Sequence, residues 1–467
     1  MKRLLLSVFA AAITAVWAMP ATATDFSFSG QYRVRGEYRG NPNFVDDAAQ
    51  SVVLQRVRLT TNAQVTDDTS VKITLQDSRA WGATPNGNGG PRLTDVGDNH
   101  LDLHESYMLV KNILDQPVSL KVGRQEFVYG DQRLLGAFGW NNNGRSFDAA
   151  KLTYNSDPID IDVFGSKIRE ASSAGVNGGG GGDEDLDFYG IYATIKSIPN
   201  NTVDVYALAL RDGNGGTNAF NQGTTYGNTS LNFAGGGILD KAQVLYTYGA
   251  RVKGAYSGLD YTLEVPFQTG SIDTTATTGI TSYDIGAWAL AAKAGYTLPT
   301  AMKIRVGAQY VIASGDDDAA DSDLETFANL FPTNHGHYGF ADQQGWRNVD
   351  AWAIDAVAQV NSQLKLYLAW WSFDLNEQAD AWYSAGNWMN TSGALGTSGV
   401  SRAASSTNIE DEIGSEIDFV ATYKYNSAVT AQFGWSRFFT GKFIESQVAG
   451  GNVDDMDFAY LQLITNF

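Results

Sequence analysis

Arginine recurs at every second position in two nearby segments of the chain. Arg33 and Arg35 are separated by one residue, and so are Arg56 and Arg58. A guanidinium group presents a planar fork of donors that matches a carboxylate, so these residues have the chemistry to bind anions. Residues two apart share a face of a β-strand. The spacing therefore predicts that each arginine pair lies on one face of a strand.

Other residue types that perform chemistry are few. The chain has no cysteine and four histidines. Ser314, Asp316 and His335 are candidates for a nucleophile–base–acid set, but only their position in one predicted loop links them, so we expect no enzyme activity. Oxygen-rich loops can bind Ca²⁺ weakly, with Asp316, Asp317 and Asp318 as candidate ligands. The spacing of a calcium-binding loop is absent, which favours a solvated loop and no cofactor.

Apolar and polar residues alternate along the whole chain, which is typical of β-strands. Eighteen segments show this alternation. Many are at least as long as the roughly 9–11 residues that a tilted strand needs to cross a bilayer. The predicted strands are 26–39, 52–66, 70–80, 101–111, 117–127, 146–155, 158–168, 186–197, 202–211, 244–256, 258–269, 282–297, 301–313, 350–361, 364–374, 411–425, 428–439 and 455–467.

Short and long connections alternate between these strands. Those after even-numbered strands are tight, as at 66–69 and 154–157. Those after odd-numbered strands are mostly long and polar, notably 81–100, 128–145, 169–185, 212–243, 314–349 and 375–410. The pattern is typical of outer-membrane barrels, with short periplasmic turns, long extracellular loops and both termini in the periplasm. We therefore predict an all-β fold, a closed antiparallel transmembrane β-barrel of about 18 strands.

The barrel fold predicts which face each strand turns to lipid. An arginine on the lipid side costs about 2–4 kcal/mol at the midplane, so the basic residues should line a water-filled lumen. A lumen lined by one sign of charge concentrates the opposite ion. The predicted lumen set is Arg33, Arg35, Arg56, Arg58, Lys72, Lys121, Arg251, Lys253, Lys303 and Arg305. The alternative is a ladder of ion pairs across the lumen, for which Asp160, Asp162, Asp204, Asp260 and Glu264 are available.

The beginning of the chain has the pattern of a secretory signal peptide. Lys2 and Arg3 precede an apolar run, and Ala-Thr-Ala at 21–23 fits a cleavage site. We expect a signal peptide at 1–23 and one barrel domain at 24–467, in the outer membrane of a Gram-negative bacterium. The expected surroundings are outer-membrane lipid and lipopolysaccharide. The formal net charge of −19 disfavours a nucleic-acid partner.

Several stretches resemble the bacterial alginate-export family of outer-membrane barrels. They are GRQEFVYGDQRLLG at 123–136, GRSFD at 144–148, ASGD at 313–316, TFANLFPTNHGHYGFAD at 326–342, IGSEID at 413–418 and FTG at 439–441. The resemblance implies a monomeric barrel whose lumen narrows at an arginine-rich constriction that passes polyuronate. Matching positions are Arg124, Arg133 and Arg145, with Asp148 and Glu264 as internal partners. Alginate exporters also fold a long periplasmic turn into the pore, whereas every predicted periplasmic turn here is short.

Together these features predict a passive channel for anionic saccharides, including polyuronates such as alginate. A general porin for small hydrophilic solutes is the alternative, and a barrel enzyme is disfavoured.

Overall fold

A computed structural model describes most of the predicted barrel. It covers residues 25–42, 44, 49–81, 101–169, 186–212, 243–273, 282–318, 321–383, 385, 410–447 and 453–467. The predicted signal peptide lies outside the described residues. In the described part, no helix is both long enough and apolar enough to cross a membrane.

Eighteen antiparallel strands form one closed sheet, which confirms the predicted fold class. Closure is made by β1, which pairs with β2 on one side and with β19 on the other. The barrel strands are β1 (Asp25–Gly40), β2 (Gln50–Gln64), β3 (Thr69–Ala80), β4 (Leu101–Val110), β5 (Val118–Gln125), β6 (Phe147–Asn155), β7 (Ile159–Arg169), β8 (Leu186–Ile195), β9 (Asn201–Asp212), β10 (Gln243–Tyr256), β11 (Leu259–Asp273), β12 (Ser282–Thr297), β13 (Arg305–Ala313), β15 (Val349–Gln359), β16 (Leu364–Asp374), β17 (Glu412–Lys424), β18 (Val429–Thr440) and β19 (Met456–Asn466).

Among the described residues, three small elements are not strands of this cylinder. A two-residue strand, β14 (Asp323–Leu324), pairs in parallel with β12, and helix α1 (Lys442–Gln447) follows β18. A short 3-10 helix, Ile113–Asp115, joins β4 to β5. We call the end of the barrel with the tight turns, such as 65–68, the short-turn end, and the opposite end the long-loop end.

The two faces of the sheet differ in the way that the alternation predicts. In β1, Tyr32 and Tyr38 are 39% and 45% exposed on the outer face, whereas Arg33 and Arg35 are buried in the interior. Outward aromatic rings gather toward both ends, as expected of membrane interfaces. They are Tyr38, Tyr189, Tyr246, Phe267, Trp288, Tyr310, Trp352 and Trp370 toward the long-loop end, and Phe28, Tyr154, Tyr256, Tyr296, Tyr423 and Tyr425 toward the short-turn end.

The interior toward the long-loop end is packed with protein. Inward residues of β6 to β9 include Phe147, Phe164, Phe188 and Leu208, all buried. Burying such side chains removes apolar surface from water. Two long loops fold over these side chains. Phe331, from one of these loops, packs edge-on against the rings of Phe147 and Phe188, at centroid distances of 5.3 and 5.1 Å. Packed side chains therefore fill part of the interior that the sequence analysis assigned to a water-filled lumen, and they narrow this half of the barrel.

An arginine placed on the outer face will destabilise the barrel far more than one placed inside. Ile354, in the middle of β15, is 57% exposed on the outer face. We expect Ile354→Arg to lower the free energy of unfolding in lipid vesicles by about 2–4 kcal/mol. Thr422→Arg, on the lumen face of β17, is the matched control and should change it by less than half as much. Urea titration of vesicle-inserted protein measures both, and equal effects would contradict the assignment of faces.

Candidate functional site: the lumen constriction

Two loops from the long-loop end fold into the barrel and interlock. Loop A comprises residues 126–146, between β5 and β6, and loop B comprises residues 314–348, between β13 and β15. The backbone N–H of Gly136 donates to the carbonyl of Phe331, and that of Phe331 donates to the carbonyl of Leu134, both at 2.9 Å. Thr333 donates in the same way to Gln132 at 2.9 Å. We call the two interlocked loops the plug.

The arginines of β1 and β2 hold the tip of loop A. Nη1 of Arg33 donates to the carbonyl of Gly139 at 2.9 Å. Nη1 of Arg56 donates to the carbonyls of Gly139 and Asn141 at 3.1 and 3.0 Å. Nη1 of Arg35 donates to the carbonyl of Trp140 at 2.8 Å. These arginines point into the barrel, where they bind backbone carbonyls of the plug.

Trp140 joins the two loops to the barrel wall. Its ring lies 3.6 Å below the guanidinium carbon of Arg35 and stacks on the ring of His335 at a centroid distance of 3.7 Å. Nδ1 of His335 lies 2.9 Å from a carboxylate oxygen of Asp342 within loop B. Cation–π and stacking contacts of this kind gain strength when water is excluded.

Two buried carboxylates anchor the tip of loop B. The backbone N–H groups of Phe340 and Ala341 donate to Oε1 of Glu416 at 2.7 and 2.9 Å. Oδ1 of Asp418 accepts a hydrogen bond from Ser436 at 2.6 Å. Gly339 has φ +83° in a place where a Cβ would lie 2.5 Å from the Glu416 carboxylate. The hydrogen bonds from the backbone N–H groups to the carboxyl group of Glu416 fix this tip.

Neither Glu416 nor Asp418 was a candidate site residue in the sequence analysis. Both belong to the IGSEID stretch, where they occupy alternate positions of one strand. A pair of acidic residues on the inward face of a strand was the available signal. The residues that they would contact could not be inferred from it.

Arg133 and Arg145 lie inside the plug. Nη1 of Arg145 donates to the carbonyls of Gly136 in loop A and Pro332 in loop B, at 3.2 and 2.9 Å. Arg133 is only 5% exposed, and its guanidinium carbon lies 5.2 Å from the centroid of the Tyr338 ring. Arg133 and Arg145, which the resemblance implied for an arginine-rich constriction, are therefore part of the plug itself.

Glu264 faces the interior, as the resemblance implied. It is buried on β11, and one of its carboxylate oxygens accepts a hydrogen bond from the hydroxyl of Tyr206 at 3.1 Å.

Three residues predicted for the lumen lie elsewhere. Arg124 and Asp148 form a bidentate pair, at 2.8 and 2.9 Å, on the outer face. Their chain neighbours Gln125 and Phe147 are the ones that point inward and are buried. Lys303 is exposed in the turn before β13, where its φ of +44° takes it out of the strand. The strand begins at Arg305, four residues later than the predicted start at 301.

The lumen toward the short-turn end carries ion pairs of the kind that the ladder interpretation predicts. Lys72 lies 2.5 Å from Glu105, and Lys151 lies 2.9 Å from Asp162. A further two arginines each bridge two carboxylates. Arg251 contacts Asp204 and Asp131 at 2.7 and 2.5 Å, and Arg305 contacts Asp260 and Asp355 at 2.7 and 2.6 Å.

Three lysines of the same region lack such close partners. Lys253 is 61% exposed and 3.8 Å from Asp131, and Lys293 is 38% exposed and 3.9 Å from Asp355. Lys121 lies 4.5 Å from the ring centroid of Tyr107, and no described carboxylate forms an ion pair with it. We call Lys121, Lys253 and Lys293 the open lysines. They are the basic groups of the lumen wall that are best placed to meet a passing solute.

The residues considered for an enzyme do not come together. The hydroxyl of Ser314 donates to the carbonyl of Glu325 at 2.6 Å, whereas His335 is paired with Asp342. In a second arrangement, which was not predicted from the sequence, the hydroxyl oxygen of Ser146 lies 3.3 Å from Nδ1 of His104. Its hydroxyl proton is directed to the carbonyl of His104 at 2.5 Å, so this contact ties loop A to β4.

The acidic residues proposed as calcium ligands belong to loop B. The backbone N–H of Asp316 donates to Asp380 at 3.1 Å, and Asp316 accepts the N–H of Asp318 at 3.2 Å. Asp317 is exposed beside them. Among the residues that the structure describes, no group of three or more histidine, aspartate or glutamate side chains is arranged to hold a metal ion. Binding of Ca²⁺ by these loops stays a prediction.

The part of loop B around Asp316 should be more stable at pH 5.5 than at pH 7.5. Burial, and then the nearby Asp380 carboxylate, raise the pKa of Asp316 to about 7. The folded loop therefore binds a proton that the released loop does not, and its stability falls as pH rises from about 4 to 7. Hydrogen exchange of residues 314–326, corrected for intrinsic rates, should show more protection at pH 5.5 than at pH 7.5. Asp316→Asn should reduce this difference more than the exposed Asp317→Asn does, while part of it should persist because burial also raises the pKa of Asp380. Equal pH dependence in the two variants would contradict the prediction.

Comparison with known proteins agrees with this architecture. Three crystal structures from Pseudomonas aeruginosa have similar folds: OccK8 (OprE), with a TM-score of 0.56 and 13% identity, OpdQ, with 0.55 and 12%, and OccK2 (OpdF) in complex with glucuronate, with 0.53 and 10%. Each alignment covers 95% of this chain and 98% of the other. At such low identities the likeness concerns the fold. No curated protein matches the sequence. The family model described as alginate export matches residues 24–453, and the chain therefore belongs to the alginate export family.

Proposed function

We propose that this protein is an outer-membrane channel for anionic saccharides, which diffuse passively past the plug. Uronates and polyuronates such as alginate are the solute class, the long loops face the cell exterior, and both termini are periplasmic. The barrel acts as a monomer, without a cofactor and without catalysis. Family membership supports the transport of a polyuronate, and the glucuronate bound by OccK2 belongs to a barrel of similar fold.

The observation that carries the proposal is the set of open lysines. They lie on β5, β10 and β12, on the lumen face near the short-turn end. Most other basic residues of that wall are neutralised by close carboxylates, or they bind the plug; Lys365 and Lys424, at the short-turn ends of β16 and β17, have no ion pair among the described residues. Exposed ammonium groups on the wall of a narrow aqueous passage favour anions over cations. A carboxylate on each sugar unit is the chemistry that such a wall attracts.

A general porin for small hydrophilic solutes is the second candidate. The close ion pairs of Lys72, Lys151, Arg251 and Arg305 favour it, because paired charges attract neither sign of ion strongly. Such a lumen would select by size more than by charge.

Planar-bilayer recording separates the two candidates. An anion-selective channel gives a reversal potential on the anion side in a KCl gradient, and glucuronate reduces its current at lower concentration than glucose does. Equal effects of the acidic and the neutral sugar would favour the general porin. Cation selectivity, or the absence of conductance, would overturn the proposed function.

A further inference from the structure

A row of alternating charges crosses five neighbouring strands on the outer face of the barrel. Its members are successive cross-strand partners, so they lie side by side at one height. Neighbouring strands are about 4.8 Å apart, so the row is roughly 19 Å long. We call it the charged row, and it consists of Arg124, Asp148, Lys167, Asp187 and Arg211.

The charged row marks the upper edge of the apolar outer surface. It lies at the long-loop end, and the chain neighbours Phe147 and Phe188 point into the buried interior. Two residues below the row, on the same outer face, Val122 and Tyr189 are 42% and 47% exposed. Charges on the outer face are tolerated at an interface and not at the midplane. The row therefore sits at the level of lipid headgroups.

Each cation of the row forms an ion pair with a carboxylate beside it, and part of its side chain is still exposed. Lys167 lies 2.7 Å from Asp187, and Arg211 lies 3.7 Å from the same carboxylate group. The side chains of Arg124, Lys167 and Arg211 keep 39%, 41% and 31% of their surface exposed. Ion pairs between exposed charges contribute only about 0–1 kcal/mol, so a stronger acceptor can share these donors.

The opposite wall of the same rim has a different charge. There Asp350, Asp374 and Glu412 are successive partners on β15, β16 and β17, and all three are acidic. The charged row has three cations and two carboxylates, with Asp102 3.8 Å from Arg124 at one end. With Asp102 counted, the charged row has no net charge. A phosphate group would therefore be repelled by the acidic wall and not by the charged row, where its oxygens can share the donors of the three cations.

We propose that the charged row binds the phosphate groups of lipopolysaccharide in the outer leaflet. The guanidinium forks of Arg124 and Arg211 suit phosphate oxygens, and Lys167 adds a point charge between them. The acyl chains then lie on the apolar surface that carries Val122 and Tyr189. The inference rests on the part of the proposed function that places the long-loop end outside the cell.

Binding of purified lipid A to the barrel in detergent tests this inference. Native mass spectrometry should show that the wild-type protein retains diphosphoryl lipid A roughly tenfold better than a dephosphorylated form with the same acyl chains. The variant Arg124→Gln/Lys167→Gln/Arg211→Gln should lose that preference. Arg79→Gln/Arg437→Gln, which removes two other outward cations near the same end, should keep it.

A second variant distinguishes a specific loss of lipid A binding from a loss caused by misfolding. Asp148→Asn/Asp187→Asn releases the cations from their carboxylates and should bind diphosphoryl lipid A more tightly than the wild type. Equal retention of both lipids by the wild type, or full retention by the triple variant, would overturn the inference. Conductance measured on the same samples tests the proposed channel function independently. A protein that conducts but does not prefer diphosphoryl lipid A contradicts only the inference about lipopolysaccharide.

Discussion

Replacing Lys121, Lys253 and Lys293 together by glutamine will shift the selectivity of the channel toward cations. A lysine about 10 Å from a passing anion attracts it by about 0.4 kcal/mol in water, because the Coulomb energy is 332/(εr) with ε near 80. Three such charges contribute about 1.2 kcal/mol, which corresponds to roughly an eightfold change in the relative permeability of anions. Glutamine keeps the length and polarity of the side chain, so the lumen should keep its width.

Reversal potentials in a KCl gradient measure this change. The effect should be largest in dilute salt and should shrink above about 0.1 M, where the Debye length falls below roughly 10 Å. The matched control is Lys111→Gln/Lys303→Gln, which removes lysine charges from exposed turns at the short-turn end. An unchanged potential in the open-lysine variant, or an equal shift in the control, would show that selectivity arises elsewhere.

The barrel itself could be predicted from the sequence because lipid enforces the pattern. A strand such as β1 must turn Tyr32 and Tyr38 outward and Arg33 and Arg35 inward, since the reverse register would place guanidinium groups in hydrocarbon. The penalty acts on every strand, so the alternation runs through the whole chain. The largest errors are at the start of β13 and the end of β11, where no lipid contact decides the boundary.

The plug could not be predicted in the same way. Loop A and loop B are stabilised by hydrogen bonds from Arg33, Arg56 and Arg145 to backbone carbonyls. Every residue has a backbone carbonyl, so the sequence does not show which carbonyls are the acceptors. An inward arginine is therefore compatible with an open anion site and with an anchored loop. The choice depends on which chain segment folds against it, and only the three-dimensional structure supplies that information.

The orientation of Arg124 could have been predicted from the alternation of apolar and polar residues in β5, but the family resemblance was followed instead. It follows Val118, Leu120 and Val122 at intervals of two residues, so the alternation itself places it on the outer face. The resemblance to an arginine-rich constriction pointed inward instead. A strand register supported by three apolar residues was the better guide, because each of those residues would lose lipid contact if the register were reversed.

Arg145→Met will loosen the plug and produce large, brief openings of the channel. The substitution removes the donors to the carbonyls of Gly136 and Pro332, one in each loop. Leaving such buried acceptors without a partner costs about 2 kcal/mol in total, so the released plug should be populated roughly 30 times more often than in the wild type. Single-channel recording should show this as a higher frequency of a large-conductance level. The β-sheet of the barrel should be unchanged.

An engineered disulfide supplies the control, since the chain has no cysteine of its own. Leu135 and Phe331 are bridge partners across the two loops, close enough for Leu135→Cys/Phe331→Cys to form a disulfide. Under oxidising conditions this pair should suppress the large openings of Arg145→Met, and a reductant should restore them. In the otherwise wild-type chain, the reduced pair lacks the Phe331 ring that packs against Phe147 and Phe188 and should itself open more often. Oxidation should return conductance and glucuronate block to wild-type values, because solutes pass a plug that stays docked. A block of conductance by oxidation alone would mean that the plug must move for transport, and the constriction would then be a gate.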